Sequence, residues 1–429
     1  MTSIAYPLTE RTLDNGLRVI VSEDHTTPTV AVNLWVGVGS RHEVPGRTGL
    51  AHLFEHLMFQ GSRHVASGEH FTALMDEGAR LNATTWFDRT NYFETLPSGA
   101  LELALWLEAD RHGHLLEAVT QENLDNQRDV VKEEKRQRYD NVPYGLAMTD
   151  VYATAFPEGH PYHHPTIGSM ADLDAATLED VHAFFRSHYG PNNTVLTLVG
   201  DVTPDVGFAA AETYFGHLPP IERRIRPLIP QLPPLTDPAR VDRGGEVPND
   251  RLYIAFRLPV DTTPGYHACA CAIDVIAGLT SSRLTRRLVR TDETAVGVGG
   301  WTMGLIDGVS LGAITVDVSA GEDPDEVEAA VCDELEAFIA AGPDDEEMES
   351  VVADTERSWL SALASIEQRA DLISHHALLT GDPSFVNTFV DQVRAVTSEQ
   401  VQAAAAAWLR PQARAVVRYL QADEAEAVA

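Results

Sequence analysis

Lysine and positive charge are scarce in this 429-residue chain. It has 31 Lys and Arg against 64 Asp and Glu, which gives a formal net charge of −33, and its lysines are Lys132 and Lys135. Because a nucleic-acid or anionic-membrane surface is bound through a cationic footprint, this balance argues against nucleic acid and membranes as partners. The acidity indicates a well-solvated surface.

Cysteine and long apolar runs are also lacking. Cys269, Cys271 and Cys332 are too few for a disulfide framework and suit a reducing compartment. The N-terminal residues contain no apolar segment typical of a signal peptide. No stretch reaches the ~18 uninterrupted apolar residues that span a bilayer. We therefore expect a cytoplasmic protein.

A proline-rich stretch, residues 219–238, is the clearest change in composition along the chain. Proline at this density prevents a continuous helix and favours an extended linker. It separates residues 1–218 from residues 239–429, and in both parts the pattern predicts strands followed by pairs of helices. The chain is therefore predicted to be α+β, with one unit duplicated in tandem.

The strongest local motif is His52-Leu-Phe-Glu55-His56. On a helix, His52 and His56 lie one turn apart on one face, so both imidazoles can reach a single metal ion. Glu55 shares that face and can address a water molecule rather than the ion. This is the H-x-x-E-H order, the inverse of the H-E-x-x-H zinc motif.

Two histidines do not complete a catalytic zinc site, which usually has three protein ligands. The best source of a third is the acidic segment that contains Glu133 and Glu134. Read alone, this segment is typical of a solvated helix face with charge pairs four residues apart. The spacing itself leaves either glutamate open.

At this point the sequence resembles the M16 metallopeptidases, the family of pitrilysin and insulin-degrading enzyme, and within it the half-length subunits of mitochondrial processing peptidase. The resemblance extends over essentially the whole chain. It rests on these segments: Gly37-Val-Gly-Ser-Arg-His-Glu43, Thr48–His56, Leu81-Asn-Ala-Thr84, Asp88–Tyr92, Val130–Glu134, His160-Pro-Tyr162, Tyr189–Leu196 and Gly200-Asp-Val202.

The resemblance implies two homologous tandem α/β-sandwich domains, a catalytic zinc-binding domain over 1–218 and a second domain over 239–429, which form half of a clamshell. It implies one Zn²⁺ per chain, bound by His52, His56 and a glutamate after a Val-x-x-Glu pattern. Val130-Val-Lys-Glu133 fits that pattern, so Glu133 is the predicted third ligand and Glu134 the alternative. The family's additional supporting Glu falls near Asn126.

The family also implies peptide hydrolysis with Glu55 as the general base. A peptide would add to the strand that contains Asn82 and Ala83, with Asn82 as an extra hydrogen-bonding group. In the second half, Arg290 matches an Arg that contacts substrate in family members. The Tyr that follows it in the family is replaced here by Gly297 or Val298.

Half-length members work in pairs, so the expected assembly is a homodimer or a heterodimer whose second M16-like subunit carries the Arg–Tyr pair. The leading hypothesis is a zinc metalloendopeptidase that cleaves unfolded peptides or precursor segments inside a dimeric chamber, a dedicated maturase of one peptide product being a special case. The alternative is a non-catalytic or partner-dependent scaffold subunit. Retention of the full set His52, Glu55, His56 and Glu133 favours catalysis.

Overall fold

The computed structural model describes residues 5–222, 229–261 and 263–421, so that part of the predicted linker, residues 223–228, lies outside it. The strands are β1 (Thr9–Thr12), β2 (Arg18–Glu23), β3 (Thr29–Val36), β4 (Arg80–Thr85), β5 (Thr90–Pro97), β6 (Thr194–Gly200), β7 (Ala239–Gly245), β8 (Arg251–Leu258), β9 (Ala295–Met303), β10 (Ser310–Val318) and β11 (Ala415–Gln421). The α-helices are α1 (Leu50–Leu57), α2 (Glu69–Asp76), α3 (Leu101–His114), α4 (Gln121–Lys135), α5 (Ala147–Ala155), α6 (Met170–Ala175), α7 (Leu178–His188), α8 (Pro204–Phe215), α9 (Pro264–Ile273), α10 (Pro324–Ala341), α11 (Asp345–Ala364), α12 (Ile366–His375), α13 (Phe389–Arg394) and α14 (Ser398–Trp408).

The first compact unit is built on a sheet with the strand order β1-β2-β6-β3-β5-β4. β2 and β6 pair in parallel, and the other neighbours are antiparallel. The central strands are rich in β-branched and apolar residues and are buried along almost their whole length. β4 lies at the edge of the sheet.

Both faces of this sheet are covered, as the alternation of side chains along a strand requires. On β2, Val19 and Val21 belong to one apolar core together with residues of α3 and α8, whereas Ile20 belongs to another core. That second core, which includes Ala370 and Ile373, is formed with α12. The sheet is therefore the middle layer of a sandwich, and the prediction of an α/β sandwich is confirmed here.

The second compact unit contains a sheet with the order β7-β11-β8-β10-β9. β7 and β11 pair in parallel, and the remaining pairs are antiparallel. α5 lies against β11 and β8, while α9 contacts β9, β10 and the neighbouring α14. β9 is the edge strand.

The two sheets have the same topology once β1 is set aside. The order β2-β6-β3-β5-β4 in the first sheet corresponds to β7-β11-β8-β10-β9 in the second, with the single parallel pair at the same place. Such a match of strand order and direction is expected from duplication. The predicted α+β fold with a repeated unit is confirmed.

Each unit includes one helical segment from the other half of the chain. Residues 135–164 belong to the second unit, and residues 359–389 belong to the first. Between α11 and α12 the helix is broken, and Ser365 caps α12 by accepting a hydrogen bond from the Gln368 amide. These units group residues by proximity, so the boundaries 1–218 and 239–429, which concern the repeats, stay a prediction.

Among the described residues, no helix has both the length and the apolar character needed to cross a membrane.

Candidate active site

α1 is the helix that carries the H-x-x-E-H motif, and its start is tightly defined. Gly49 precedes it with φ = 87°, a left-handed conformation that favours glycine, and a Cβ at this position would lie 2.7 Å from the Ile167 carbonyl oxygen. The Glu43 carboxylate accepts hydrogen bonds from the Gly49 and Ala51 amides at 2.9 and 2.8 Å. Glu43 thereby satisfies amides that the helix leaves unpaired, and its burial raises the pKa of this carboxyl group to about 8.

The loop before Glu43 is fixed by the turn between β4 and β5. The Ser40 and Arg41 amides donate to the carbonyl oxygens of Trp86 and Phe87, and the buried Arg41 and Asp88 form an ion pair at 3.0 Å. A Cβ at Gly39 would lie 2.1 Å from the Trp86 carbonyl oxygen, so only glycine fits there. The Gly37–Glu43 segment thus connects the edge of the sheet to the start of α1.

His52 and His56 face the same side of α1, with ring centroids 4.8 Å apart. Their Nε2 atoms lie 3.7 and 3.4 Å from Oε2 of Glu134 on α4. Ligand atoms of a tetrahedral zinc ion with bonds of about 2.0–2.1 Å are separated by about 3.3 Å. Two imidazoles and a carboxylate at these separations fit the donor set and the size of a zinc site.

The carboxylate that lies beside the histidines belongs to Glu134, the alternative ligand, and not to Glu133, the predicted one. Successive helical residues point about 100° apart, so only one of the two can face α1. Leu124, Gln127 and Val131 form the buried stripe of α4, and Glu134 continues it one turn beyond Val131. Glu133 lies on the exposed side.

The ambiguity between Glu133 and Glu134 has a simple source in the sequence. The Val130-Val131 pair lets the Val-x-x-Glu pattern match in two registers, ending at Glu133 or at Glu134. Val131 is buried and Val130 is 41% exposed, so the second register is the structural one. The seven-residue spacing from Leu124 to Val131 could have indicated the correct register. With this register, the position expected near Asn126 shifts to the buried Gln127.

α6 holds the two helices of the cluster in place, a role that the sequence did not reveal. The Asp172 carboxylate accepts hydrogen bonds from the amide and hydroxyl of Thr48, just before α1, at 2.9 and 2.6 Å. Arg128 on α4 donates to the carbonyl oxygens of Leu173 and Ala176 at 2.8 and 2.7 Å. One short helix therefore fixes the start of α1 and the middle of α4.

Glu55 is buried next to the cluster, and its Oε2 accepts a hydrogen bond from the Thr85 hydroxyl at 2.5 Å. Burial raises the pKa of Glu55, while the Thr85 hydrogen bond opposes that shift. A carboxylate whose pKa is raised is a stronger base than an exposed one, which suits it to accept a proton.

Asn82 and Ala83 lie on β4, whose outer edge pairs with no other strand among the described residues. Asn82 is exposed, and its side-chain oxygen accepts a hydrogen bond from the Ala83 amide at 2.9 Å. An incoming peptide carbonyl would have to replace this bond. The predicted edge-strand position of Asn82 and Ala83 agrees with the structure.

Arg290 lies in the second unit, in the π-helical segment Thr285–Thr291, and donates to the Thr280 carbonyl oxygen at 2.8 Å. Gly297 and Val298 lie on the edge strand β9, where they pair with Asp317 and Val316. Their part in substrate binding stays a prediction.

Two models of one family match this chain. The model described as insulinase (peptidase family M16) matches residues 18–168, which contain the site. The model described as peptidase M16 inactive domain matches residues 175–354. The chain belongs to peptidase family M16.

Individual relatives agree with this assignment. The protein named zinc protease PqqE of Helicobacter pylori is 34% identical over 230 residues, 53% of this chain and 51% of that protein. An uncharacterized zinc protease of Mycobacterium leprae is 34% identical over 205 residues, 48% of this chain and 45% of that protein. The matches thus span about half the length of these relatives.

A crystal structure of a protease from Helicobacter pylori has the same fold. It superposes with a TM-score of 0.89 at 24% identity and covers 97% of this chain and 100% of that chain. The half-length M16 fold expected from the sequence is confirmed.

Proposed function

We propose that this M16 protein is a zinc-dependent metalloendopeptidase. The observation that carries the proposal is the convergence of His52, His56 and Glu134, with Glu55 buried on the same helix. Two relatives named zinc proteases support the metal and the reaction. One Zn²⁺ per chain would be held by the two Nε2 atoms and the Glu134 carboxylate.

Zinc, when bound, supplies a Lewis acid that activates water and polarises the peptide carbonyl. Glu55 accepts the proton of the attacking water and then donates it to the leaving amine, so that no net proton remains on the enzyme. Burial favours this task, because the raised pKa of the Glu55 carboxyl group makes the carboxylate a stronger base.

The substrate class that we propose is an unfolded peptide or a precursor segment. An extended peptide would add to the open edge of β4 through backbone hydrogen bonds, which depend little on side chains. Ala83 offers an amide at this edge, and the Asn82 side chain would turn from that amide to the peptide. Folded proteins would not supply an unpaired backbone.

A non-catalytic scaffold subunit is the competing hypothesis, since residues 175–354 match the inactive-domain model of the family. That match concerns the part of the chain outside the H-x-x-E-H helix. A scaffold has no need of a buried Glu55 beside three metal-ligating side chains, so the arrangement favours catalysis.

The test of catalysis is Glu55→Gln, which keeps the size and hydrogen-bonding capacity of the side chain but removes the base. We expect zinc content to remain at the parental level and hydrolysis of a fluorogenic peptide panel to fall by ~10² or more. Hydrolysis at the parental rate would remove Glu55 from the mechanism. A parent that binds zinc but cleaves no peptide, in any assembly, would favour the scaffold.

We further propose a dimer, with either a second copy or a second M16-like subunit that carries an Arg–Tyr pair. Gly297 or Val298 stands where the family has Tyr, and losing one oxyanion donor typically costs ~10²–10³ in rate. We expect the isolated chain to be weakly active and co-expression with such a subunit to raise turnover by that factor. Light scattering coupled to size-exclusion chromatography, run with the peptide assay, distinguishes the homodimer from the heterodimer. A homodimer with full activity would contradict the need for a second kind of subunit.

A cytoplasmic location is also proposed. Cys269, Cys271 and Cys332 are free thiols, as a reducing compartment favours. Cell fractionation with an antibody against the chain would test it.

A further inference from the structure

The hydrogen bond between Thr85 and Glu55 links the edge strand to the general base. Thr85 is the last residue of β4 and is 8% exposed, and its hydroxyl lies 2.5 Å from Oε2 of Glu55. An ionised carboxylate can only accept hydrogen bonds. The single hydroxyl proton of Thr85 is therefore directed at Glu55.

The neighbouring hydroxyl group of Thr90 does not replace Glu55 as the acceptor of the Thr85 hydroxyl proton. Thr90, its partner across the hairpin, has its hydroxyl 3.5 Å from that of Thr85 but donates to the Val38 carbonyl oxygen at 2.9 Å. Thr90 therefore gives its hydroxyl proton to the backbone, and the Thr85 hydroxyl proton remains with Glu55.

The position of Thr85 on β4 connects its hydrogen bond with Glu55 to the edge that is proposed to bind the peptide. Side chains alternate along a strand, so Ala83 and Thr85 are buried on one face, whereas Asn82 and Thr84 are exposed. The strand whose edge would receive the peptide backbone is thus the strand whose last side chain contacts the base.

We infer that Thr85 is a positioning residue that fixes the Glu55 carboxylate through Oε2 and leaves Oε1 to exchange the proton with water and the leaving amine. The Thr85 proton itself is not transferred. The expected effect on turnover rests on the proposed function. The orientation of Glu55 by Thr85 can be tested without it.

The test compares Thr85→Val, which has nearly the same shape without the hydroxyl, with Thr85→Ser, which keeps the hydroxyl. One hydrogen bond to a charged group corresponds to a change of about 10- to 100-fold. For Thr85→Val we expect kcat to fall by that factor, while KM and zinc content stay within about twofold of the parent. Thr85→Ser should recover most of kcat. Thr95→Val, which removes a β5 hydroxyl bonded to Glu367 at 3.2 Å, is the matched control and should stay close to the parent.

Crystal structures of the zinc-loaded variants provide the readout that does not depend on turnover. In Thr85→Val, the Glu55 side chain should adopt a different conformation or several conformations. In Thr85→Ser it should keep the parental conformation. An unmoved carboxylate in Thr85→Val, parental kcat in that variant, or equal losses in both variants would overturn the inference. If Glu55 moves as expected but the parent itself never cleaves peptides, the positioning role stands and the proposed function fails.

Discussion

The two sheets share one topology but differ in the helix that follows the central strand. After β3, α1 presents His52, Glu55 and His56 to the Glu134 carboxylate. After β8, α9 presents buried Cys269 and Cys271, and burial raises the pKa of Cys269 to about 12. Within the residues that the structure describes, the second sheet has no group of metal-ligating side chains like that of the first. The shared topology alone therefore does not bring metal-ligating side chains together; the particular side chains of α1 and α4 do.

The two sheets also differ in the polarity of the buried residues on the corresponding strands β5 and β10. On β5, the buried Glu94 lies in a cluster with Glu108 and Arg111 of α3, and Arg111 donates to Glu108 Oε2 at 3.0 Å. His70 adds a contact to Glu108 at 3.4 Å. The corresponding strand β10 is apolar at its buried positions Ala313 and Ile314. β5 of the first sheet thus contributes to a buried charged cluster, whereas these positions of β10 in the second sheet are packed with apolar side chains.

The largest effect that can sharpen this comparison concerns the metal. Loss of residues that only support a ligand typically costs 10–100-fold in metal affinity, so we expect Glu134→Gln, which removes a direct ligand, to weaken zinc binding by more than ~100-fold. Metal analysis after dialysis against a weak chelator measures it. Glu133→Gln is the matched control and should retain about one zinc per chain.

The opposite result would contradict the assignment of Glu134 as the zinc ligand. If Glu134→Gln kept its zinc while Glu133→Gln lost it, the predicted ligand Glu133 would be restored. If both variants kept one zinc per chain, neither glutamate would be a required ligand, and the metal would be bound by other residues.

A smaller effect concerns the buried charge of the first half. Burial and the neighbouring Glu108 charge raise the pKa of Glu94 well above its usual range. The folded state therefore keeps a proton that the unfolded state releases, so the free energy of unfolding falls as pH rises above the unfolded pKa of Glu. Glu94→Gln removes this penalty. Its Tm should exceed that of the parent by a few degrees at pH 8, a shift worth about 1 kcal/mol for domains of this size.

The pH dependence distinguishes this cause from a general change in packing. The gap in Tm between Glu94→Gln and the parent should narrow as pH falls from 8 to 5.5, because the unfolded state then holds more of the proton. Thermal melts at several pH values measure it, and Glu77→Gln on the surface is the control. A gap that stays constant or widens toward low pH would show that Glu94 is ionised in the folded protein.

Local sequence patterns were sufficient for many elements. β3 and α10 carry strong local signals, the alternation of β-branched residues and an Asp323-Pro324 start. β1 and β7, in contrast, carry no such signal. They are short or largely exposed edge strands whose polar residues resemble loops, and only pairing with a neighbour defines them.

The sequence by itself determined the H-x-x-E-H face, since a helical period of 3.6 residues places His52 and His56 together wherever the helix lies. It also determined the repeated order of strands and helices. The spacing from Leu124 to Val131 favours Glu134 over Glu133, but only the tertiary structure brings that carboxylate to the histidines, because the distances depend on how α4 packs against α1. The same packing brought Thr85 to Glu55 and α6 to both ligand helices, contacts between residues far apart in the chain that no local pattern specifies.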